Sequence, residues 1–193
     1  MILRDDLQLI YDWIPEGSHV LDLGCGRGEL LSALTARKNC TGYGVEIDVD
    51  SVQAAVERGV NVIQADIERG LDAFADHSFD VIVLSQTIQA MQDTQAILRV
   101  LTRLAAQAIV SFPNFGYWRN RLQIMLGGTM PVSERMPHQW YDTPNIHLCT
   151  LRDFDLLCAK NNVRVLERAV MTAGKRVEHL PNLLGSLAFY RVG

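Results

Sequence analysis

Three features of the chain predict an α/β fold, a Rossmann-like doubly wound seven-stranded sheet that is mostly parallel with an antiparallel closing strand. The first is Val20-Leu21-Asp22-Leu23-Gly24-Cys25-Gly26-Arg27-Gly28-Glu29-Leu30-Leu31, an apolar strand that enters a three-glycine turn and opens a helix. The second is the alternation of short β-rich runs with helical stretches through five units, the pattern of a parallel sheet with helices on both faces. The third is length: 193 residues suffice for one domain over 1–193 and leave little room for a second core.

Taken in order, Leu3, Leu7, Ile10, Tyr11 and Ile14 make a helical stripe that stops at Pro15-Glu16-Gly17 and is expected to pack across the open edge of a ligand cleft. Val20 to Leu23 has the composition of a central parallel strand, and Leu30, Leu31 and Leu34 give a helix to about Lys38. Gly42 to Ile47 reads as the second strand, 49–58 as a helix ended by Gly59, and Val60 to Ile63 as a short third strand. A helix over Ile67 to Phe74 precedes the β-branched fourth strand, Phe79 to Leu84. Gln95 to Leu104 is helical, and Ala108 to Phe112 is a fifth strand stopped by Pro113-Asn114.

From Tyr117 a helix with Trp118, Leu122 and Met125 on one side runs to Gly127-Gly128. The stretch 129–145, rich in Pro, Met and aromatics, is then a long loop or lid, so a lid or partner region is expected at about 115–147. Thr150 with Asp153 predicts the N-cap of a helix through Leu151, Phe154, Leu157 and Cys158 that ends at Asn161-Asn162. Val163 to Val170 and Ser186 to Arg191 are two final strands, an antiparallel closing pair.

A net charge of -4 and a pI near 5.7 argue against nucleic acid as a partner, and the pairs Arg119/Arg121 and Lys175/Arg176 read as solvated faces. Cys25, Cys40, Cys149 and Cys158 show no C-x-x-C pair, which fits reduced thiols in a cytoplasmic protein and no structural metal site. The first residues lack a basic segment followed by an apolar one. No segment holds eighteen uninterrupted apolar residues, so neither export nor membrane insertion is expected.

Glycine spacing separates the candidate ligands of the turn. A dinucleotide fingerprint is G-x-G-x-x-G, which lays a pyrophosphate over the helix N-terminus, whereas Gly24, Gly26 and Gly28 are spaced G-x-G-x-G. A nicotinamide-dependent reductase therefore lacks its third glycine. Asp22 and Glu29 flank the loop, where acids would repel a pyrophosphate but suit a ligand with ammonium and sulfonium centres. That ligand is S-adenosylmethionine, or S-adenosylhomocysteine after methyl transfer, held by Asp22, Leu23, Gly24, Cys25, Gly26 and Gly28.

Ligands on doubly wound sheets bind outside the carboxyl ends of the strands. Glu46 ends the second strand 22 positions after Gly24, where an acid accepts bonds from ribose hydroxyls; the alternative is a solvated acid before the next helix. Ile47 is placed to pack against adenine. Asp66, followed by Ile67, is placed either to meet the adenine amino group or to cap a helix. Ser85, with Gln86 and Thr87, follows the fourth strand, where the transferable methyl would point. That position offers no carboxylate or histidine, and no Asn/Asp-Pro-Pro-aromatic run of the kind common in N-methyltransferases. Oxygen and nitrogen acceptors often need a base. The candidates are His138, Tyr141 and His147, in or beside the lid; His147 has the alternative of tying the loop to the following helix, and Trp140 and Tyr141 could wall His138. Phe112, Phe115, Tyr117 and Trp118 serve either core and lid packing or an aromatic cage.

With Asp22, the three glycines, Glu46 and Asp66 in register, the first 110 residues resemble class I S-adenosylmethionine-dependent methyltransferases. The whole chain resembles the MetW methionine-biosynthesis proteins more narrowly. The resemblance rests on the glycine turn from Leu21 to Leu31, Ser85-Gln86-Thr87-Ile88-Gln89-Ala90, Ser111-Phe112-Pro113-Asn114-Phe115-Gly116-Tyr117-Trp118-Arg119-Asn120-Arg121 and Trp140-Tyr141-Asp142-Thr143-Pro144-Asn145-Ile146-His147. It implies a role beside a homoserine O-acyltransferase of the MetX type and supplies no methyl acceptor. Two functions follow. One is a cofactor-binding accessory or regulatory partner through which S-adenosylmethionine, the pathway's downstream product, reports methionine supply. The other is an active small-molecule methyltransferase whose acceptor enters beneath the lid.

Overall fold

A computed structural model of the chain describes residues 3–71, 74–133 and 135–193. The first helix, α1 (Asp5–Trp13), precedes strand β1 (His19–Leu23), which the glycine turn joins to α2 (Glu29–Lys38). The alternation continues through β2 (Thr41–Glu46), α3 (Val49–Glu57), β3 (Val62–Gln64), α4 (Ile67–Gly70), β4 (Phe79–Ser85), α5 (Thr94–Leu104) and β5 (Ala105–Pro113). A short 3₁₀ turn at Ile88–Ala90 lies between β4 and α5. Beyond β5 come α6 (Trp118–Gly127), α7 (Leu151–Lys160), β6 (Val165–Thr172), β7 (Lys175–Arg176), α8 (Pro181–Leu184) and β8 (Leu187–Val192).

The sheet has the order β3-β2-β1-β4-β5-β8-β6-β7, so it is eight-stranded rather than seven-stranded. The extra member is the two-residue β7, which folds back on β6 across a turn at Ala173-Gly174 and is too short to carry a strand pattern in sequence. β1 to β5 pair in parallel, and β8 runs antiparallel to both β5 and β6. Order reverses between β1 and β4, the switch point at which such sheets take their ligands.

Strand side chains divide between the two faces with period two. Leu21, Leu23, Ile82, Leu84, Val110 and Phe112 face one core with α5 and α7, while Val20, Val81, Val83 and Ile109 face the other with α1 and α2. Phe112, Phe154 and Tyr190 pack ring against ring with centroids 4.6 to 5.7 Å apart, and the buried Tyr190 hydroxyl donates to the Leu151 carbonyl at 3.2 Å. Phe112 is thus core. The predicted capping box forms: Thr150 N–H donates to Asp153 Oδ2 at 2.9 Å, and Asp153 N–H to Thr150 Oγ1 at 3.4 Å.

Three boundaries need correction, the first being that of β5, which begins at Ala105 rather than Ala108 because Phe79 already pairs with Ala105. The third strand begins two residues later than Val60, which turns back to bond Ala55 at the end of the α3 turn. The helix expected over 67–74 is a single turn, Ile67–Gly70, and its predicted residues 72 and 73 lie outside the described residues. The side of α6 bearing Trp118, Leu122 and Met125 packs into neither core; Asn120 is the buried residue of that helix.

Candidate functional site

The carboxyl ends of β3, β2, β1 and β4 lie side by side, so the loops that follow them share one rim of the sheet. After β1 the chain turns through Gly24, Gly26 and Gly28 at φ of +75°, +52° and +74°, a region that favours glycine. Gly24 also has no room for a side chain, since a Cβ there would stand 2.5 Å from Thr87 Oγ1. The loop is pinned by Gly24 N–H and Cys25 N–H on the Val45 carbonyl, at 2.8 and 3.2 Å, and Gly28 begins α2.

Glu46 is neither a solvated acid nor a free one. Its Oε2 accepts from Gly26 N–H at 2.9 Å, and its Oε1 accepts from Ile47 N–H at 2.8 Å and Asp48 N–H at 3.0 Å. The end of β2 therefore fastens the glycine loop of β1 through charge-assisted bonds. Asp22, 3% exposed on the central strand, has its carboxyl pushed up to about 7 by burial and by the neighbouring Glu46 carboxylate. Burial, Asp22 and Glu46 push the Cys25 thiol up to about 12. Burial is the larger cause at both groups, and the Glu46 carboxylate adds to each a negative field that a cation would relieve.

A cleft of about 260 Å³ opens at this point. It is lined by Asp22, Gly24, Cys25, Gly26 and Ser85 and roofed by Arg4 and Leu7 from the start of α1. The structure therefore gathers the glycine loop and Ser85 at one cleft and attaches Glu46 through Gly26. Leu23 is fully buried in the core, and Gly28 lies at the entrance to α2. Ile47 stands 65% exposed beside Glu46. Asp66 lies further along the rim, where its carboxylate accepts from Glu68 N–H at 3.0 Å and caps α4, while Ile67 packs into the core. Arg4, Leu7 and Leu30 also line the cleft and had not been read as site residues. The helical stripe of α1 signalled Leu7, but nothing in sequence singled out Arg4.

The three base candidates lie away from this cleft. His147 Nε2 is 3.3 Å from the Gln92 carbonyl, and its backbone N–H donates to the Gln89 carbonyl at 2.9 Å, so it ties its loop to the segment between β4 and α5 rather than to the following helix. His138 lines a separate apolar cleft with Phe115, Met136, Trp140 and Ile146. Tyr141 is 71% exposed and meets Trp140 edge to face. Among the described residues no group of three His, Cys, Asp or Glu side chains is placed to hold a metal, and no helix is long and apolar enough to cross a membrane.

The family model described as methionine biosynthesis protein MetW matches residues 4–192. The chain belongs to the MetW family. A relative from Rhodopirellula baltica, named bifunctional methionine biosynthesis protein MetXA/MetW, is 35% identical over 205 residues. The match covers 98% of this MetW chain and 33% of that protein, so the chain spans about a third of the relative's length. Among solved structures, an S-adenosylmethionine-dependent methyltransferase from Archaeoglobus fulgidus aligns with a TM-score of 0.71 at 15% identity, covering 96% of this chain and 90% of that one. One from Mesorhizobium loti aligns at 0.70 and 15% identity over 98% and 97%. At such identities the likeness is one of fold: this MetW chain carries the methyltransferase-like α/β architecture.

Proposed function

We propose that the chain binds S-adenosylmethionine in the glycine-loop cleft and acts in methionine biosynthesis as an accessory or regulatory partner of a homoserine O-acyltransferase, in the cytoplasm. The residues fit the ligand. The loop's lack of side chains lets a nucleoside lie on its backbone, and Asp22 supplies a counter-charge for the ammonium and sulfonium centres. Glu46 would accept from the ribose hydroxyls, exchanging part of its hold on Gly26, Ile47 and Asp48 for them. Exposed Ile47 offers adenine an apolar floor, with Asp66 at the amino edge and Ser85 toward the methyl group.

The observation that carries the partner role is an uncovered apolar face. Met125 and Leu126 of α6 are 73% and 75% exposed, and Trp118, Leu122 and Ile124 are open too. Trp140 and Ile146 add to it from the following loop. Exposed apolar surface of this kind marks interaction sites, where aromatics, Met and Arg are enriched. The name of the R. baltica relative, in which MetXA and MetW share one chain, supports an acyltransferase as the occupant. Cofactor would regulate that partner only through different affinities for the free and assembled states.

The test is to assay the acyltransferase with and without this protein while titrating S-adenosylmethionine. A rate that rises with the protein and responds to cofactor is expected; an unchanged rate without co-purification would sink the accessory role. The second reading, an active small-molecule methyltransferase, is favoured by His138 in its apolar cleft. It predicts transfer of label from methyl-labelled cofactor to a component of cell extract.

A further inference from the structure

A cavity of about 320 Å³ lies on the other side of the start of α1 from the glycine-loop cleft. Arg4 and Leu7 line the one, and Asp5 lines the other. The cavity's wall brings together Asp5, Tyr117, Arg119, Asn120, Arg135 and Thr172, from α1, the start of α6, the following loop and the end of β6. Its volume is at the small end of ligand sites, roughly 300 to 1,000 Å³.

The chemistry of that wall is divided. Arg119 and Arg135 make no ion pair or hydrogen bond among the described residues; the Arg119 guanidinium lies 5.5 Å from the Trp118 ring centroid. By contrast Arg121 donates to the Gly116 carbonyl at 2.6 Å and Arg176 pairs with Glu167 at 3.7 Å, so neither of those two is merely a solvated charge. The first turn of the ten-residue α6 adds positive potential. Tyr117 at its N-cap makes no side-chain capping bond, and the Trp118 and Arg119 N–H groups have no partner among the described residues. Two guanidiniums and a helix N-terminus without partners among the described residues suit a carboxylate.

Acceptors face the same space. The Asp5 carboxylate forms no ion pair among the described residues and sits against Gly174, where a Cβ would collide with it and where φ is +74°. Asn120, 3% exposed, spends its Nδ2 on the Asn114 and Phe115 carbonyls at 3.3 and 3.4 Å, and its Oδ1 has no hydrogen bond among the described residues. A polyanion such as phosphate would meet Asp5 and a lone-pair acceptor; a molecule with an ammonium beside its carboxylate would satisfy both halves.

We propose that this cavity is a second ligand site, for a small zwitterion of the α-amino acid type. Its carboxylate lies on Arg119, Arg135 and the α6 N-terminus, and its ammonium on Asp5 and Asn120 Oδ1. Calorimetric titration of the whole protein with the twenty L-amino acids and with inorganic phosphate, at saturating S-adenosylhomocysteine, tests it. At least one amino acid is expected to bind saturably. Its deaminated and decarboxylated analogues should bind at least about tenfold more weakly, and Arg119→Gln, Arg135→Gln and Asp5→Asn should each weaken it about tenfold, the scale of a charge-assisted bond. Thermal unfolding of these partly exposed variants should match the parent. The proposal is overturned if no amino acid binds, if phosphate binds as tightly as the best amino acid, if the arginine variants leave affinity unchanged, or if S-adenosylhomocysteine competes for the site. Failure of cofactor binding in the same samples would count against the proposed function and leave this result standing.

Discussion

The rim formed by β1, β2 and β4 and the segment from Tyr117 to Leu148 use apolar residues in opposite ways. At the rim, each apolar side chain of β1 and β4 is buried, and the polar groups that remain, Asp22 and Glu46, sit where burial and backbone donors constrain them. In the second segment Trp118, Met125, Leu126, Trp140 and Tyr141 face outward. The first arrangement spends stability on a charge held ready for a ligand; the second leaves apolar area uncovered that another surface can bury. Strain in the rim should therefore read out in cofactor affinity, and changes in the outer segment in association.

The largest effect is expected at Asp22. Because its folded pKa, about 7, lies above the ordinary 3.8, the folded protein holds a proton that the unfolded chain has lost over that interval. The stability Asp22 contributes is fully present below about pH 4 and is lost as pH rises through 7. Asp22→Asn removes the charge, so its unfolding temperature should exceed the parent's at pH 8 and approach it at pH 5. The same variant should weaken S-adenosylmethionine binding about a hundredfold, near the top of the range for bonds to charged groups. A variant that is stabler at pH 8 and binds as before would show that Asp22 is strained for no ligand.

Glu46→Ala should weaken cofactor binding at least about tenfold, since hydrogen bonds to charged groups are worth roughly 1.5 to 3 kcal/mol. It also releases Gly26, Ile47 and Asp48 N–H groups, so a lower unfolding temperature should accompany the loss. Glu46→Gln keeps one acceptor oxygen and separates the two: stability recovers in part while affinity stays low. Unchanged calorimetric affinity in both variants would remove Glu46 from the site.

A wild-type titration sharpens the same contrast without mutation. A sulfonium or ammonium prefers ionised Asp22, and with a pKa near 7 about nine-tenths of that carboxyl is ionised at pH 8 and about a tenth at pH 6. Affinity for S-adenosylmethionine should fall about tenfold across that interval in wild type and stay flat in Asp22→Asn. A flat wild-type profile would mean that the ligand's charge does not meet this carboxylate.

How legible each region was follows from how local its determinants are. The glycine turn, the β1 and β4 strands and the Thr150/Asp153 capping box are written in consecutive residues, and the structure keeps them. Glu46 ends its strand as the sequence predicts, but its grip on Gly26 joins residues 20 apart in sequence and is visible only with the register of β1 on β2. α6 was harder. Trp118, Leu122 and Met125 share a side at helical spacing, and that pattern looks the same whether the side meets a core or an absent partner. The two unpaired arginines were also hidden, because pairing depends on what the fold brings near: Arg121 meets the Gly116 carbonyl, while Arg119 meets a ring.

The smallest effect on the chain itself is expected in the outer segment. Met125 and Leu126 lie near the end of α6 with most of their surface in water, so replacing both by glutamine creates no cavity and keeps a residue of similar helix propensity. Unfolding should change by no more than about 0.5 kcal/mol, as for ordinary surface substitutions. Cofactor affinity should not move, because neither residue lines the glycine-loop cleft. Co-purification with the acyltransferase should nevertheless weaken at least about tenfold, since two apolar side chains that an interface core would bury have become polar. A double variant that is destabilised would mean this face is covered within the chain after all. One that is stable and still binds the acyltransferase at full affinity would move the docking surface off α6.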